Sequence, residues 1–319
     1  MRSRVPLPPP QCLGAAFAWM RGQRLMGVPM ARYTSLRVGG PADLLLIPAD
    51  LAEVLAILAW ARERDVPLTW IGNGTNLIVR AGGIRGLVVS LHAALNQVRP
   101  LDPTPLHELR AGDELRLRVG AGAPLTRVLH LVIRQGLMGL AFAVGIPGTM
   151  GGAIAMNAGT EAASTWDVIE RVTLLMPDGR MLAVAPHDVA VGYRFASLPP
   201  QSVVVEATLR AVKGDAAEVR QEVRRLYGDR WRSQPLALPN AGSIFKNPPG
   251  ERAGRLIDQL GLKGYRIGAA AISPQHANFI VNLGQASAHE VLALVDHVKQ
   301  HTYARTGVLL EEEVRIVGE

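Results

Sequence analysis

Two glycine-rich stretches and three polar ones carry the residue types from which a reactive or anion-binding site can be built. The first glycine loop is Gly72-Asn73-Gly74-Thr75-Asn76. The second is Gly145-Ile146-Pro147-Gly148-Thr149-Met150-Gly151-Gly152, which runs on to Asn157-Ala158-Gly159. Glycine admits positive φ and lets backbone N–H groups approach an anion, and Thr75, Asn76 and Thr149 add side-chain donors, so both loops suit a phosphate. Neither contains G-x-x-x-x-G-K-S/T, and the first lacks the G-x-G-x-x-G spacing that opens a helix. Tight turns between strands use the same residues. A third stretch, Asn240-Ala241-Gly242-Ser243-Ile244-Phe245-Lys246-Asn247-Pro248, lines up a hydroxyl, an ammonium and an amide. Serine after glycine is also common turn chemistry, and no G-x-S-x-G surrounds Ser243. Glu311, Glu312 and Glu313 adjoin near the C-terminus, with Glu311, Glu313 and Arg315 on one face of an expected strand; a solvated acidic face has the same composition. Arg194, within Gly192-Tyr193-Arg194-Phe195-Ala196-Ser197, reads by itself as a surface cation.

The elements that must position these residues follow from periodicity. Leu44 to Pro48 is an apolar run that reads as a strand. Asp50 with Glu53 forms a capping-box-like start for a helix through Arg64, which Pro67 ends. Strands are expected at 68–71 and 77–79, with the first glycine loop between them. From about 84 to 212 strands predominate, at 87–91, 115–119, 169–176, 181–184 and 203–212, and Pro177-Asp178-Gly179-Arg180 is a hairpin turn. A helix over 124–135 ends at Gly136, a suitable C-cap. Beyond Gly214 the pattern becomes a charged helix over 216–230, a Pro- and Gly-rich loop, and a helix over 251–260. Ser287 and Glu290 cap a further helix to about Tyr303, and 308–317 is read as the last strand.

At 319 residues, 48% hydrophobic and 19% charged, the chain is long enough for two domains and too apolar for disorder. The formal charge of +7 rests on arginines dispersed along the chain, with aromatics at only 5%, so a nucleic-acid partner is not expected. The single cysteine, Cys12, cannot form an intramolecular disulfide, which fits a reducing cytoplasm. The eight histidines are not read as carrying a metal-ligand spacing, and no metal is expected. Gln135 to Gly159 lacks a charged side chain over 25 residues, yet its seven glycines and Pro147 argue against a membrane span. Residues 1–28, Pro-rich and unlike a signal peptide, are read as an N-terminal extension.

In order along the chain, these segments resemble the UDP-N-acetylenolpyruvoylglucosamine reductase (MurB) family of peptidoglycan synthesis. The resemblance covers about residues 33–318. Its landmarks are Tyr33-Thr34-Ser35-Leu36-Arg37-Val38-Gly39-Gly40-Pro41-Ala42, both glycine loops, Tyr193-Arg194, the stretch from Gly242 to Pro248, Ser273 with His276-Ala277-Asn278-Phe279-Ile280-Val281-Asn282, and Leu310-Glu311-Glu312-Glu313-Val314-Arg315. It implies an α+β fold, with a two-part FAD-binding domain of the vanillyl-alcohol-oxidase (PCMH) type over 29–213, in lobes of about 29–90 and 91–213. A C-terminal α+β substrate domain would follow over 214–319.

It further implies noncovalent FAD, since neither glycine loop holds a His or Cys. Gly72, Asn73, Gly74, Thr75, Asn76, Gly145, Pro147, Gly148, Thr149, Gly151, Gly152 and Asn157 are its expected contacts. NADPH is the implied hydride donor, and a UDP-sugar, UDP-N-acetylglucosamine enolpyruvate, the implied substrate. By motif, Ser243 would protonate C2 of the enolpyruvyl group, Arg194 and Glu313 would polarise its carboxylate, and Tyr193, Lys246 and Asn247 would contact substrate. A cytoplasmic monomer is expected. Two departures stand out: Thr160-Glu161-Ala162-Ala163-Ser164 replaces the family's small, glycine-rich continuation after Gly159, and only 48 residues separate Arg194 from Ser243, as in the branch without an extra tyrosine-bearing loop. An FAD-dependent sugar or lactone oxidase of the same fold is the alternative; it would share the glycine loops and have no use for Ser243 and Glu313.

Overall fold

The computed structural model describes residues 10–160 and 162–319. The chain falls into two compact units that interleave along the sequence. Unit 1 comprises Met1–Leu25, Leu45–Gly72 and Leu87–Asp229; unit 2 comprises Met26–Leu44, Asn73–Gly86 and Arg230–Glu319. Chain crossings thus fall within segments that a linear reading keeps whole, including the first glycine loop between Gly72 and Asn73.

Strands β1 (Gln23–Pro29), β2 (Pro41–Ile47), β5 (Ile84–Ser90) and β3 (Leu68–Ile71) form a four-stranded sheet in that order, with β3 parallel to β5. Of the expected extension, residues 10–28 are described and carry regular structure. Helix α1 (Pro10–Ala16) precedes β1, Leu13 and Phe17 are fully buried, and the Phe17 ring lies 4.8 Å from that of Trp60. Prolines and scattered apolar residues hide this from a periodicity reading, because the partners lie far along the chain. Helix α2 (Leu51–Glu63) starts where Asp50 Oδ1 accepts from Glu53 N at 3.0 Å. Glu53, itself 4% exposed, accepts from the amides of Ala49 at 2.8 Å, Arg21 at 2.7 Å and Gly22 at 3.2 Å, so it ties the segment before β1 to the helix start.

Unit 1 is built on a six-stranded antiparallel sheet, β10 (Met181–Val184), β9 (Ile169–Leu175), β13 (Val203–Lys213), β7 (Glu114–Gly120) and β6 (Val98–Pro100), with β8 (Leu137–Met138) also on β13. Alternation sorts its faces. Leu115, Leu117 and Val119 of β7 are buried, while Arg116 and Arg118 point the other way and pair with Glu170 at 2.7 Å and Glu206 at 3.6 Å. Helix α3 (Leu125–Gln135) ends at Gly136 with φ 62. A short helix, α4 (Met150–Ala155), forms inside the second glycine stretch and packs on β13 and β7. Sequence periodicity misses it because four of its six residues are glycine or alanine and so short a helix carries no amphipathic signal. The pair β11 (Val191–Gly192) and β12 (Phe195–Ala196) forms a two-residue hairpin around Tyr193-Arg194. Helix α5 is Ala216–Ser233.

In unit 2, β14 (Asn240–Ser243), β17 (Phe279–Asn282), β16 (Ala270–Ile272) and β15 (Arg266–Ile267) form an antiparallel sheet. Helices α6 (Ala253–Gln259) and α7 (Ala288–Thr306) join its core, where Leu36, Ile78, Phe245, Ile257, Val291 and Leu294 are buried. The Ser287–Glu290 capping box and the C-cap Gly307, φ 71, bound α7. The last strand is shorter than the alternation predicts: β18 is only Arg315–Val317, parallel to β4 (Leu77–Val79). Residues 308–314 are not a strand; Glu312 makes one bridge to Phe245, after which the chain bends.

Burial pushes the Glu53 carboxyl up, but the three backbone amides and the Arg21 charge outweigh it and hold it below the ordinary carboxylate value. A lowered folded-state pKa means a contribution that is complete above the unfolded value and is lost as pH falls through the folded one. Glu53→Gln keeps the shape and removes the charge. It should lower stability by about 1–3 kcal/mol, read as a reduced urea midpoint at neutral pH, with the gap to the parent narrowing in acid. An unchanged midpoint would count against this anchor.

Candidate active site

Within unit 2, Ser243 is placed by a bulge. Between Asn240, which pairs with Val281, and Ser243, which pairs with Phe279, β14 has one residue more than its partner. The surplus is absorbed at Gly242, whose φ of 76 an L side chain resists. Asn240 braces the bulge: its Oδ1 accepts from Gly242 N at 2.9 Å, its Nδ2 donates to the carbonyls of Pro235 and Leu238, and its own carbonyl accepts from Ser35 Oγ at 2.6 Å. Asn278 secures the next residues. Its carbonyl accepts from Ile244 N at 2.8 Å, its Oδ1 from Phe245 N at 3.0 Å, and its Nδ2 donates to Phe245 O at 2.8 Å. Sequence reading found Asn278 only as part of a family motif; nothing in its spacing announces a clamp on Phe245.

Glu313 arrives beside this strand because Glu313 N and Val314 N both donate to Ile244 O, at 2.8 and 3.4 Å. The three adjacent glutamates therefore differ. Glu311 pairs with Lys246 at 3.2 Å on an open surface, Glu312 pairs with Lys299 at 2.7 Å, and Glu313 is half-buried next to the Ser243 segment. The shared face expected for Glu311, Glu313 and Arg315 does not form, because the bend at 313–314 breaks the two-residue period. Asn247 Oδ1 accepts from Ala253 N at 3.1 Å at the start of α6. Lys246 and Asn247 thus hold local contacts of their own beside Ser243.

The same unit holds residues 73–76 of the first glycine loop. Asn76 Nδ2 donates to Glu313 O at 3.0 Å, Arg315 N donates to Asn76 O at 3.0 Å, and Ser35 N donates to Gly74 O at 3.1 Å. Gly74 has φ 61, and a Cβ there would overlap the carbonyl of Tyr33. Among the described residues, the N–H groups of Gly74, Thr75 and Asn76 donate to no protein acceptor, while the carbonyls around them are anchored. Three successive available amides on a braced turn fit an anionic diphosphate such as that of a dinucleotide cofactor.

In unit 1 the second loop is bound differently. Thr149 caps α4, and Gly72 packs so closely that a Cβ would stand 2.6 Å from Thr149 Oγ1. Met150 N and Gly151 N donate to the carbonyls of Ala123 and Ala121, at 2.9 and 2.8 Å, and Gly148 O accepts from Leu125 N at 3.0 Å. The amides of Met150 and Gly151 are therefore spent inside the protein; what this stretch offers a ligand is bare backbone without side chains. Gly145, φ 70, and the exposed Pro147 precede it. Asn157 is buried, and its side chain bonds Gly192 O and Trp166 N. Arg194, φ 56, donates from Nη1 to Gly159 O at 3.4 Å, with its guanidinium 5.2 Å from the Tyr193 ring centre. In the departing segment 160–164, Glu161 lies outside the described residues; Thr160 N donates to Ala163 O at 2.8 Å in a tight turn.

A groove of about 350 Å³ lies elsewhere, on the outer face of the six-stranded sheet, among Glu114, Arg116, Asp167, Glu170 and Arg210. None of the expected site residues lines it. His297 and His301 stand four apart on α7, which corrects the expectation that no histidines share a ligand spacing. Their rings stack at 5.8 Å, and among the described residues no group of three His, Cys, Asp or Glu is arranged to hold a metal. No described helix is long and apolar enough to cross a membrane.

Gly74→Ala should destabilise the protein by about 1–3 kcal/mol, read from denaturant unfolding, because the loop must both accept a strained φ and move off Tyr33; a neutral result would mean the loop is slack. His276, whose Nδ1 accepts from Asn278 N at 3.2 Å, is pushed below its ordinary value of 6.5, by burial first and then by Lys263. The unfolded chain then binds the proton more readily, so stability is complete above about pH 6.5 and declines as pH falls below it. His276→Gln should flatten part of that acid slope in melting temperature as pH falls below about 6.5, and an unchanged slope would count against it.

The family model for the C-terminal domain of UDP-N-acetylenolpyruvoylglucosamine reductase matches residues 234–317, and that for an FAD binding domain matches residues 42–185. A relative from Geobacter metallireducens named UDP-N-acetylenolpyruvoylglucosamine reductase is 44% identical over 302 residues, covering 95% of this chain and 96% of its own. One of the same name from Thiobacillus denitrificans is 42% identical, covering 94% of each. Among solved structures, the UDP-N-acetylenolpyruvylglucosamine reductase (MurB) of Thermus caldophilus superposes with a TM-score of 0.76 at 35% identity, over 94% of this chain and 100% of that one. With an α+β fold whose FAD-binding region and C-terminal domain both match at this level, the chain belongs to the UDP-N-acetylenolpyruvoylglucosamine reductase (MurB) family.

Proposed function

We propose that this protein reduces UDP-N-acetylglucosamine enolpyruvate to UDP-N-acetylmuramate in peptidoglycan precursor synthesis, using noncovalent FAD and NADPH, as a cytoplasmic monomer. Near full-length similarity to relatives bearing the reductase name carries this reading. The single cysteine agrees with a reducing compartment. The FAD-binding domain spans about 29–213 and the C-terminal substrate domain 214–319, with Tyr193 and Arg194 serving the substrate from the former; the two matched regions, 42–185 and 234–317, support this division.

FAD, when bound and reduced by NADPH, would supply a hydride for C3 of the enolpyruvyl group. Negative charge then builds at C2 and on the adjoining carboxylate, and this chain's residues must meet it. Ser243 gives C2 its proton. A neutral hydroxyl is a weak acid, so it serves only when held against a strongly basic carbon, and the Asn240 and Gly242 bulge supplies that fixed aim. Arg194 brings a permanent planar charge to the carboxylate. Glu313, held to Ile244 by its backbone, assists from beside the Ser243 strand. The amides of Gly74, Thr75 and Asn76 would hold the diphosphate of bound FAD, and Gly72, Asn73, Gly145, Pro147, Gly148, Thr149, Gly151 and Gly152 would be further cofactor contacts. Tyr193, Lys246 and Asn247 contact the substrate.

Anaerobic stopped-flow absorbance of the flavin band tests the reading: NADPH should bleach it, and the enolpyruvyl sugar nucleotide should restore it rapidly while oxygen restores it slowly. Fast recovery with oxygen and none with the sugar nucleotide would make the protein an oxidase instead. Ser243→Ala should leave bleaching by NADPH nearly intact and slow substrate-driven recovery about 10²- to 10⁴-fold. Equal loss in both half-reactions would remove Ser243 from the proton-donor role.

A further inference from the structure

Asn157 follows α4 with φ 43 and is 8% exposed. Both ends of its amide are engaged within unit 1: Nδ2 donates to Gly192 O at 3.0 Å, and Oδ1 accepts from Trp166 N at 3.2 Å. Gly192 immediately precedes the Tyr193-Arg194 turn and pairs with Phe195 across it, so the bond grips the neck of the hairpin. From the turn, Arg194 Nη1 reaches back to Gly159 O at 3.4 Å. Neck and tip are therefore both tied to residues 157–159.

The hairpin needs such support. It has two residues per strand, Val191, Tyr193 and Phe195 are exposed, and Arg194 occupies the left-handed region, which costs a non-glycine residue. We propose that Asn157 is a positioning residue for Arg194: by fixing the Gly192 carbonyl it sets where the turn, and with it the guanidinium, stands. The catalytic consequence rests on the reading of Arg194 as the group that meets the substrate carboxylate. The side chain expected from sequence to touch the cofactor is thereby assigned to the hairpin.

Asn157→Asp tests this. Aspartate keeps the size, tolerates positive φ and retains the acceptor for Trp166 N, but sets a carboxylate oxygen against the Gly192 carbonyl. In the flavin-loaded full chain, hydrogen exchange of the 191–197 amides should accelerate about tenfold or more, while that of β13 stays unchanged. Recovery of the flavin band with the enolpyruvyl sugar nucleotide should slow by up to about 10²-fold, the scale of a small misplacement of a catalytic group. Combined with Arg194→Lys, the second change should add little, because both act through one group. Unchanged hairpin exchange, additive losses, or weakened flavin binding with recovery preserved would each overturn the proposal, the last returning Asn157 to the cofactor. Should the aspartate variant fail to fold, Asn157→Gly keeps the backbone conformation, removes both bonds and is read by the same criteria. A parent protein that the sugar nucleotide never reoxidises would refute the proposed function while leaving the exchange result to decide the clamp.

Discussion

The carbonyl of Ile244 is the point on which the arrangement of the C-terminal candidate site depends. It receives the amides of Glu313 and Val314, and this convergence brings Glu313 alongside Ser243. A regular ladder would not have done so, since strict pairing would have continued Glu312 opposite Phe245 and turned successive side chains to alternate faces. Irregular backbone leaves polar groups that need partners, and side-chain amides provide them here. Asn278 bonds both ends of Phe245 and receives Ile244, while Asn240 fills the bulge behind Ser243. Because Asn76 donates to Glu313 O and Arg315 donates to Asn76 O, the loop with available amides is braced by the same C-terminal segment. The loop at 73–76 and the candidate proton donor in unit 2 are therefore parts of one hydrogen-bonded frame.

The two glycine stretches look alike in composition and differ in physics. At residues 74–76 carbonyls are anchored and N–H groups remain available, so the loop can offer positive dipole ends to an anion. At 150–151 the N–H groups are consumed by Ala123 and Ala121, which fixes the start of α4 and leaves a surface defined by missing side chains. Counting glycines cannot separate these cases. The direction in which each peptide points is decided by partners at residues 33–35 and 121–125, remote in sequence from the loops they brace.

Legibility followed locality. The starts of α2 and α7 and the end of α3 are readable because Asp50, Ser287 and Gly136 bond within their own helices, and the longer strands β7, β9, β10 and β13 declare themselves by their apolar runs, whereas the short β6 and β8 and the last turn of α7 do not. The bend at 313–314, the burial of Leu13 and Phe17, helix α4 and the clamp by Asn278 are not readable, since each depends on a distant partner. Ser243 shows the limit well. A serine after a positive-φ glycine is what an ordinary turn contains, yet here the glycine is a bulge in β14 and Asn240 braces it, which the spacing of the residues does not reveal.

Among the described residues six non-glycine positions have positive φ, and two of them, Asn157 and Arg194, lie in one contact set. Strain of this kind persists only where surroundings over-determine the conformation. Asn157 meets that condition through its two side-chain bonds, and Arg194 through its hairpin neck and its bond to Gly159 O. A regular strand would have carried an arginine without strain, but would have sent its side chain perpendicular to the sheet. The strained turn instead puts Arg194 at the hairpin tip, with its guanidinium on Gly159 O at 3.4 Å and 5.2 Å from the Tyr193 ring centre. For a group whose value lies in where a permanent charge is held, conformational cost exchanged for fixed direction is a favourable trade.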